Sequence, residues 1–296
     1  MIVLMEQSII YLALILTGLC FGSFAGASVW RLRARQLVED QADGEPVDAA
    51  ELKSLKKLTK TSISNDRSQC LHCSYTLKWY DLIPLFSWLS LGGKCRKCRK
   101  PIGYMEPLIE LGVAAFFVLS YAYWPYPLTS GIDIARLVLW LIAGIALAIL
   151  FVYDIRWFLL PNNINFTVIG VGVINAALVI ISASDKPNAI IDIAGSIFIL
   201  SGLYWILYIV SKGKWIGFGD IKLGLGLALL ASSWKLAFIT LFAANLIGCI
   251  VVIPAMITGK LKRTSHVPFG PLLIIGLFVA VLAGSYLLNA YVNYLP

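Results

Sequence analysis

Long blocks of apolar residues, separated by short polar stretches, dominate the pattern along this 296-residue chain. A helix that crosses the hydrocarbon core of a bilayer needs about 20 mostly apolar residues. Because backbone polar groups find no water in that core, such a segment has to be helical. The pattern predicts eight spans, at residues 8–29, 107–124, 134–153, 164–182, 190–210, 221–232, 235–257 and 270–292.

Two of these spans need a closer reading. The first has no Lys or Arg on its amino side, and its apolar run is longer than that of a signal peptide, so we interpret it as a retained membrane helix. The sixth is short and carries Gly224 and Gly226. Short or broken helices occur at membrane depth where they line a cavity, so we expect this span to be tilted or broken.

The polar residues are concentrated in one segment, residues 31–106, which holds 14 of the 24 Lys+Arg and 9 of the 16 Asp+Glu. The chain as a whole is 59% hydrophobic and 14% charged, whereas a soluble domain has about 25% charged residues. We therefore predict an all-α polytopic membrane protein with about eight transmembrane helices and a small polar domain between the first two. This gives three parts: 1–30, 31–106 and 107–296.

Within the polar domain, residues 36–66 are rich in charge and carry Leu52, Leu55 and Leu58 at a spacing of three. The segment could be one amphipathic helix or a mobile tether, and we favour a weak helix. The basic character of the domain could indicate nucleic-acid binding, but no nucleic-acid motif accompanies it. The positive-inside rule explains it more simply, because the other odd-numbered loops also carry more cations than the even-numbered ones. We expect the polar domain in the cytosol and both termini outside.

Four of the six cysteines form two pairs, Cys70-x2-Cys73 and Cys95-x2-Cys98. Two thiolate pairs at this spacing can surround one tetrahedral Zn²⁺ ion. Disulfides are disfavoured in the reducing cytosol, which supports the metal interpretation. Four protein ligands leave no open position for a water molecule, so the predicted zinc is structural. The alternative is four unliganded thiols in a basic loop.

Two acidic residues fall beside predicted spans on the same side of the membrane: Asp154 after the third span, and Asp220, 66 residues later, at the start of the sixth. Ionisable groups in such places are costly and often functional. Two carboxylates held about 3 Å apart share one proton, so one can activate a water molecule while the other hydrogen-bonds a peptide carbonyl. The glycines before Asp220 allow close backbone approach by a substrate strand.

Simpler roles remain open for both aspartates. Asp220 could be the N-cap of the sixth helix, and Asp154 an interfacial polar residue. Acids in membrane spans also serve transport. Other catalytic chemistry is poorly supported, because the two histidines have no nucleophile motif nearby and no phosphate-binding or dinucleotide-binding fingerprint occurs between a strand and a helix.

A set of motifs, taken in order, resembles the type IV prepilin peptidases. The chain has GSF at 22–24 with Arg31-Leu32, and the two cysteine knuckles enclose IPLFSWL at 83–89. GKC follows at 93–95 and PLIE at 107–110. Asp154 has Leu160-Pro161 beyond it, GFGDIKL stands at 217–223, and PFGP at 268–271. GxGD alone is a weak motif, but the ordered set covers most of the chain. Arg156 and Asn162 stand where the family often has acidic residues.

The resemblance implies an eight-helix aspartyl peptidase of the bacterial cytoplasmic membrane, with Asp154 and Asp220 catalytic and Cys70, Cys73, Cys95 and Cys98 binding zinc. It implies cleavage after the glycine that ends a basic prepilin or pseudopilin leader. It also implies methylation of the new N-terminus with S-adenosylmethionine. By position, Gly93 and Lys94 are candidates for cofactor binding. For substrate positioning, the candidates are Gly217, Gly219 and Lys222.

Two other classes of function stay open at this point. In a transporter, Asp154 and Asp220 would carry protons or cations; in a zinc-bearing membrane scaffold of a pilus or secretion machine, they would be dispensable. The expected partners are prepilin-like substrates and membrane lipid, and no nucleic acid. The identity of the pilin and the oligomeric state do not follow from the sequence.

Overall fold

The computed structural model describes residues 2–59, 67–262 and 266–294. These residues are almost entirely helical, with two isolated bridges and no strand among them. The helices are α1 (Ile2–Ala42), α2 (Ala49–Leu55), α3 (Phe86–Ser90), α4 (Met105–Ala122), α5 (Gly131–Trp157), α6 (Asn162–Ser182), α7 (Lys186–Ile197), α8 (Leu203–Ser211), α9 (Phe218–Ala231), α10 (Trp234–Ile257) and α11 (Gly270–Tyr294). A π-helical segment, Phe198–Gly202, joins α7 to α8.

In the described part of the chain, seven helical segments are long and apolar enough to cross a membrane. They are Met5–Ala42, Met105–Ala122, Gly131–Trp157, Asn162–Ser182, Lys186–Ser211, Trp234–Ile257 and Gly270–Ala290. The predicted sixth span is the shorter helix α9, which at 14 residues is about 21 Å long, against a hydrocarbon core of about 30 Å. Apart from Asp220 and Lys222 its residues are apolar, and most of them are buried by neighbouring helices.

The helix that contains the first predicted span, residues 8–29, continues past the span: α1 ends only at Ala42. Residues 31–42 are polar but contain neither glycine nor proline, and most of them are good helix formers, so the helix continues beyond its apolar stretch. Gly44, the first glycine after this stretch, has a positive φ of 79°. Hydropathy showed which residues suit a membrane, but not where the helix stops.

The predicted amphipathic helix over 36–66 takes a different form. Its first residues end α1, and α2 and the 3₁₀ turn Lys56–Thr59 follow, while residues 60–66 lie outside the described part of the chain. The leucine spacing did indicate a buried face. Arg33 also forms a salt bridge with Glu51 at 2.7 Å. The cluster that packs the end of α1 against this segment comprises Ala34, Leu37, Leu52, Leu55 and Leu58.

The chain divides into two compact units, Met1–Val118 and Leu119–Pro296. In the first, α1 and α4 touch through glycines. A Cβ atom added to Gly18 would stand 2.6 Å from the Cα of Ala114, and one added to Gly22 would stand 2.5 Å from the Cα of Glu110. Small residues four apart allow helix backbones to approach closely in membranes, where hydrophobicity contributes little to helix association.

A buried glutamate holds the start of α3 in the same unit. The backbone N–H of Leu85 donates to Oε2 of Glu110 at 2.7 Å. Leu85 has a positive φ of 60°, a conformation that is strained for a branched side chain and needs support from its surroundings. The hydrogen bond to α4 provides part of that support.

In the second unit, α9 lies in close contact with α6 and with the π-helical segment. A Cβ atom on Gly226 would stand 2.8 Å from Val168 Cγ1, and one on Gly172 would stand 2.7 Å from Leu229 Cβ. On another side of α9, Gly224 lies directly against the carbonyl of Leu200. The glycines that suggested a tilted or broken helix therefore serve close packing.

Three neighbouring side chains also donate hydrogen bonds to backbone carbonyls of α9. Ser196 Oγ donates to Ala228 O at 2.9 Å, and Ser201 Oγ donates to Ile221 O at 3.1 Å. Asn175 Nδ2 lies 3.1 Å from the carbonyl oxygens of both Leu229 and Leu230. The position of α9 along its own axis is thus set by its neighbours at several points.

The contact of α1 with α4 can be tested by filling it. We expect Gly18→Ala to lower the melting temperature of the purified protein in detergent, because the new methyl group meets backbone and overpacking of this kind costs about 1–3 kcal/mol. Gly112→Ala is the matched control: it lies in α4 with open space around it. Equal melting temperatures for the two variants would contradict the close approach.

Candidate active site and candidate metal centre

Asp154 lies in the last turn of α5 and is 5% exposed. The helix ends there because Phe158 adopts the left-handed conformation, with φ 56° and its N–H bonded to the carbonyl of Asp154 at 2.9 Å. The carboxylate has one hydrogen-bond donor among the described residues: the backbone N–H of Gly270, 3.0 Å from Oδ2. A contact between residues 116 positions apart thus orients the side chain.

Asp220 is the third residue of α9. The N-cap of this helix is Gly217, in an extended conformation and without a side-chain capping bond, so the interpretation of Asp220 as the N-cap is wrong. A Cβ atom on Gly217 would stand 3.4 Å from Oδ2 of Asp220. Because the cap is a glycine, no side chain covers the carboxylate from that direction.

The structure brings the two aspartates to one place, although they lie on different helices. They are close enough for the charge of Asp220 to act on Asp154. Gly270 lies at the same point: a Cβ atom there would stand 2.7 Å from Asp154 Oδ2 and 3.4 Å from Cδ2 of Leu223, one turn beyond Asp220. The start of α11 therefore meets the end of α5 and the first turns of α9.

Residues around Asp220 attach the start of α9 to the region before and within α6. Lys222 Nζ donates to Oδ1 of Asn162 at 2.7 Å and lies 4.9 Å from the ring centroid of Phe218. A Cβ atom on Gly219 would stand 3.1 Å from Cβ of Leu160. Lys222 and Gly219 therefore help to pack the start of α9 against its neighbours. The resemblance implies a substrate-positioning role for both residues in addition.

Sequence reasoning missed two residues at this site. Gly270 was noted only as part of PFGP, and nothing in that motif reveals which side chain its N–H would meet. Tyr204 is buried, contacts Phe269 edge to face at 5.6 Å between ring centroids, and lies within electrostatic range of Asp220. It sits in an otherwise ordinary apolar helix, so no local pattern distinguishes it.

The four cysteines predicted to bind zinc come together in the first unit, with all four sulfurs within 4.8 Å of one another. The Sγ atoms of Cys70 and Cys98 are 3.9 Å apart, as are those of Cys73 and Cys95. In a tetrahedral site with zinc–sulfur bonds of about 2.3 Å, the sulfurs stand about 3.8 Å apart. The cluster therefore has the dimensions to hold one metal ion.

The two knuckles have the same backbone form. Each has a residue with positive φ directly after its second cysteine, Ser74 at 57° and Arg99 at 58°. Each is closed by an isolated antiparallel bridge, Gln69 with Thr76 and Lys94 with Pro101. The other side chains of the two knuckles differ. The repeated CxxC spacing is therefore visible in the sequence, but the repeated backbone form is visible only in the fold.

The thiols of the cluster have unequal electrostatic surroundings. Burial raises the pKa of Cys70 to about 12. Burial also acts against charge on Cys95, but hydrogen bonds from the amides of Cys98 and Lys97 outweigh it and lower the pKa of this thiol to about 7. Four thiolates at this distance repel one another, and a bound cation deprotonates its thiol ligands. The donor set thus fits a divalent metal.

Gly93 and Lys94 lie directly before the second knuckle. Gly93 has a positive φ of 67°, and a Cβ atom on it would stand 3.0 Å from Cζ2 of Trp88. Its carbonyl accepts the N–H of Ile102 at 2.7 Å. These contacts give Gly93 a structural reason to be glycine, independent of any cofactor.

Comparisons with known proteins agree with this arrangement. The model of the bacterial peptidase A24 N-terminal domain matches residues 16–124, and that of the type IV leader peptidase family matches residues 141–253. A type 4 prepilin-like proteins leader peptide-processing enzyme of Escherichia coli is 32% identical over 264 residues, which is 88% of each chain. No solved structure matches.

Two further relatives are named prepilin leader peptidase/N-methyltransferase. The one from Pseudomonas aeruginosa is 27% identical over 285 residues, covering 96% of this chain and 93% of its own length. The one from Aeromonas hydrophila is 30% identical over 230 residues, covering 77% and 75%.

Fold and site define a multi-pass helical membrane protein in which the ends of two helices that each carry an aspartate lie against Gly270. The chain belongs to the type IV leader peptidase family, and it is therefore a peptidase. The family resemblance inferred from the ordered motifs is confirmed.

The metal centre can be tested by elemental analysis of the purified protein. We expect Cys95→Ser to reduce the bound metal from about one ion per chain to near zero, because a structural tetrahedral site needs all four ligands. Cys249→Ser is the matched control, since that cysteine is exposed on α10 and outside the cluster. Unchanged metal content in Cys95→Ser would rule out the four-cysteine site.

Proposed function

We propose that this protein removes the leader peptide of prepilin-like proteins, with Asp154 and Asp220 activating the water molecule that cleaves the bond. The observation that carries the proposal is that the end of α5 with Asp154 and the first turns of α9 with Asp220 both lie against Gly270, whose amide donates to Asp154. The names of the relatives supply the substrate class.

In the proposed reaction the aspartate pair holds one shared proton. The ionised member takes a proton from water, the oxygen of that water attacks the scissile carbonyl carbon, and the protonated member gives its proton to the carbonyl oxygen. The resulting diol collapses, the C–N bond breaks, and the nitrogen leaves as an amine with a proton returned by the pair. A coupled pair titrates as a unit, so neither residue is assigned as the base.

The hydrogen bond to Gly270 restricts where the shared proton can sit. A backbone N–H can only donate, so Asp154 Oδ2 accepts it through a lone pair. A protonated carboxyl oxygen is a weaker acceptor, so this bond favours the shared proton on the other oxygen of Asp154 or on Asp220. Both of those positions can face a substrate carbonyl without breaking the contact to α11.

The glycines beside Asp220 fit a substrate that approaches as an extended strand. Gly217 is extended and has no side chain, and Gly219 is the first glycine inside α9. We propose that these two residues, together with Lys222, position the backbone on either side of the scissile bond. A leader that ends in glycine has no side chain at the residue before the cleaved bond, so it fits a strand that passes close to the enzyme backbone.

The names of the relatives also support a second activity, methylation of the new N-terminus. The methyl donor for such a transfer is S-adenosylmethionine. We propose that the loop with Gly93 and Lys94 contributes to its binding. The cysteine cluster beside this loop would hold Zn²⁺, with four protein ligands and thus a structural role.

For the membrane arrangement, we propose that the chain lies in the bacterial inner membrane with residues 31–106 in the cytosol. The excess of cations in this segment supports that orientation. Residues 1–30 would form the first span and residues 107–296 the spans that carry the peptidase site. Cleavage would then occur at the cytosolic edge, where a prepilin leader meets its apolar helix.

Replacing either aspartate tests the proposed site. We expect Asp154→Asn and Asp220→Asn each to abolish leader removal when co-expressed with a prepilin, because an amide keeps the shape but cannot exchange the proton. Mass spectrometry of the pilin N-terminus measures both cleavage and any added methyl group. Asp192→Asn, in α7, is the control and should cleave normally.

Different results in this assay separate the alternative functions. Cleavage by both aspartate variants would show that the pair is structural. Absence of cleavage by the unaltered protein across several prepilins would favour the transporter or scaffold.

The orientation of Asp154 can be tested separately. We expect Gly270→Ala to reduce cleavage about a hundredfold, because its methyl group would stand 2.7 Å from Asp154 Oδ2 and displace the carboxylate. Gly170→Ala, in open space on α6, is the control. The cleavage rates are measured with purified enzyme in detergent. If Gly270→Ala cleaves as fast as Gly170→Ala and the unaltered protein, the contact between Gly270 and Asp154 does not position the carboxylate.

A further inference from the structure

Tyr204 is a buried tyrosine whose hydroxyl is not used by the fold. The residue is 6% exposed, and its phenolic oxygen has no hydrogen-bond partner among the described residues. Its ring packs edge to face against Phe269, with centroids 5.6 Å apart. Buried tyrosines usually place the O–H on a partner, because an unpaired buried donor is costly. An exception of this kind calls for a partner that arrives from outside the chain.

The contacts of α9 with the helix before it place Tyr204 opposite Asp220. Ser196 donates to Ala228 O, and Ser201 donates to Ile221 O. Further along, the ring of Tyr208 contacts the ring of Phe218 at 5.7 Å. Along these three contacts the residue numbers rise from 196 to 208 in one segment and fall from 228 to 218 in α9, so the two segments run antiparallel. Tyr204 lies between Ser201 and Tyr208, and its place in this register is beside Asp220.

The π-helical segment Phe198–Gly202 creates this register. Ser196 and Ser201 both point to α9, although they are five residues apart. In a regular α-helix, five residues turn by about 500°, so the two would differ by about 140° in direction. A π turn, with its i to i+5 hydrogen bond, aligns them. Because the segment adds this turn before α8, it also sets the direction in which Tyr204 points.

On its other side Tyr204 meets the loop that holds Asp154. Phe269, its ring partner, directly precedes Gly270, whose N–H is bonded to Asp154 Oδ2 at 3.0 Å. The phenol is also within electrostatic range of Asp220 without a hydrogen bond to it. Tyr204 is thus placed beside both elements that supply the aspartate pair, with its donor still available.

We propose that Tyr204 is a further catalytic residue of the peptidase. Its O–H donates a hydrogen bond to the oxygen of the scissile carbonyl as that oxygen gains negative charge during attack by water. This inference rests on the proposed leader-peptidase function and adds a third residue to its site.

The chemistry of a phenol suits this role. The phenol keeps its own proton throughout, and the proton that the carbonyl oxygen receives comes from the aspartate pair. A neutral donor aimed at developing charge in a site without bulk water stabilises the transition state more than the bound substrate. The unpaired hydroxyl of the free enzyme gains its partner only during the reaction.

The test is Tyr204→Phe, which keeps the ring against Phe269 and removes only the hydroxyl. We expect kcat for cleavage of a purified prepilin with a glycine-ended leader to fall about a hundredfold. We expect KM to stay within about twofold, because the hydrogen bond forms in the transition state. The melting temperature should be unchanged or higher, since the variant loses an unpaired buried group.

Tyr286→Phe is the matched control: this tyrosine lies near the far end of α11 and is 75% exposed. It should retain the kcat and KM of the unaltered enzyme. All variants are assayed as full-length protein in the same detergent, together with Asp154→Asn and Asp220→Asn.

Three results would overturn the proposal. In the first, Tyr204→Phe cleaves with unaltered kcat. In the second, KM rises while kcat is unaltered, which would assign the hydroxyl to substrate binding alone. In the third, activity and melting temperature fall together, which would assign it to stability. If the unaltered enzyme cleaves, the aspartate variants do not and Tyr204→Phe is fully active, only this inference fails. If the unaltered enzyme cleaves no prepilin, the proposed function itself fails.

Discussion

The place of Asp220 depends on hydrogen bonds that neighbouring side chains donate to backbone carbonyls of α9. A helix of 14 residues gains little stability from its own backbone, so its position is set by what surrounds it. Ser196, Ser201 and Asn175 hold carbonyls from its first turns to its last. In a membrane, where water does not compete for these groups, such bonds have few alternatives. A short helix can therefore hold an acidic side chain at a defined point.

Close backbone contact is the second constraint, and both units use it. Lipid tails are as apolar as leucine, so helices in a membrane associate through packing and hydrogen bonds. Gly18 and Gly22 provide this contact in the first unit, and Gly224 and Gly226 provide it in the second. At Gly270 the absence of a Cβ atom lets the backbone N–H reach the carboxylate of Asp154.

The cysteine cluster lies in a segment that buries few of its side chains: between residues 67 and 104 only Gly93 and Cys95 are buried. Segments below about 40 residues usually need a metal or disulfides to fold. Two knuckles of the same backbone form bring four sulfurs within 4.8 Å, and a salt bridge from Arg96 to the buried carboxylate of Asp81 closes the loop between them. The left-handed residues Ser74 and Arg99 make both turns possible.

The sequence by itself determined the features that depend on local pattern: the apolar spans, the paired cysteines and the two acids beside membrane segments. Hydropathy and short spacings are properties of neighbouring residues, so they can be read without a fold. The apolar pattern did not show that α1 continues to Ala42, because apolar character shows what suits lipid while helix propensity shows where a helix stops. Only the tertiary structure decided that Gly270 holds Asp154 across 116 residues, that Gly217 caps α9, and that a π turn precedes the helix that carries Tyr204. These features depend on how helices that are distant in the sequence pack together, and short sequence patterns do not reveal such contacts.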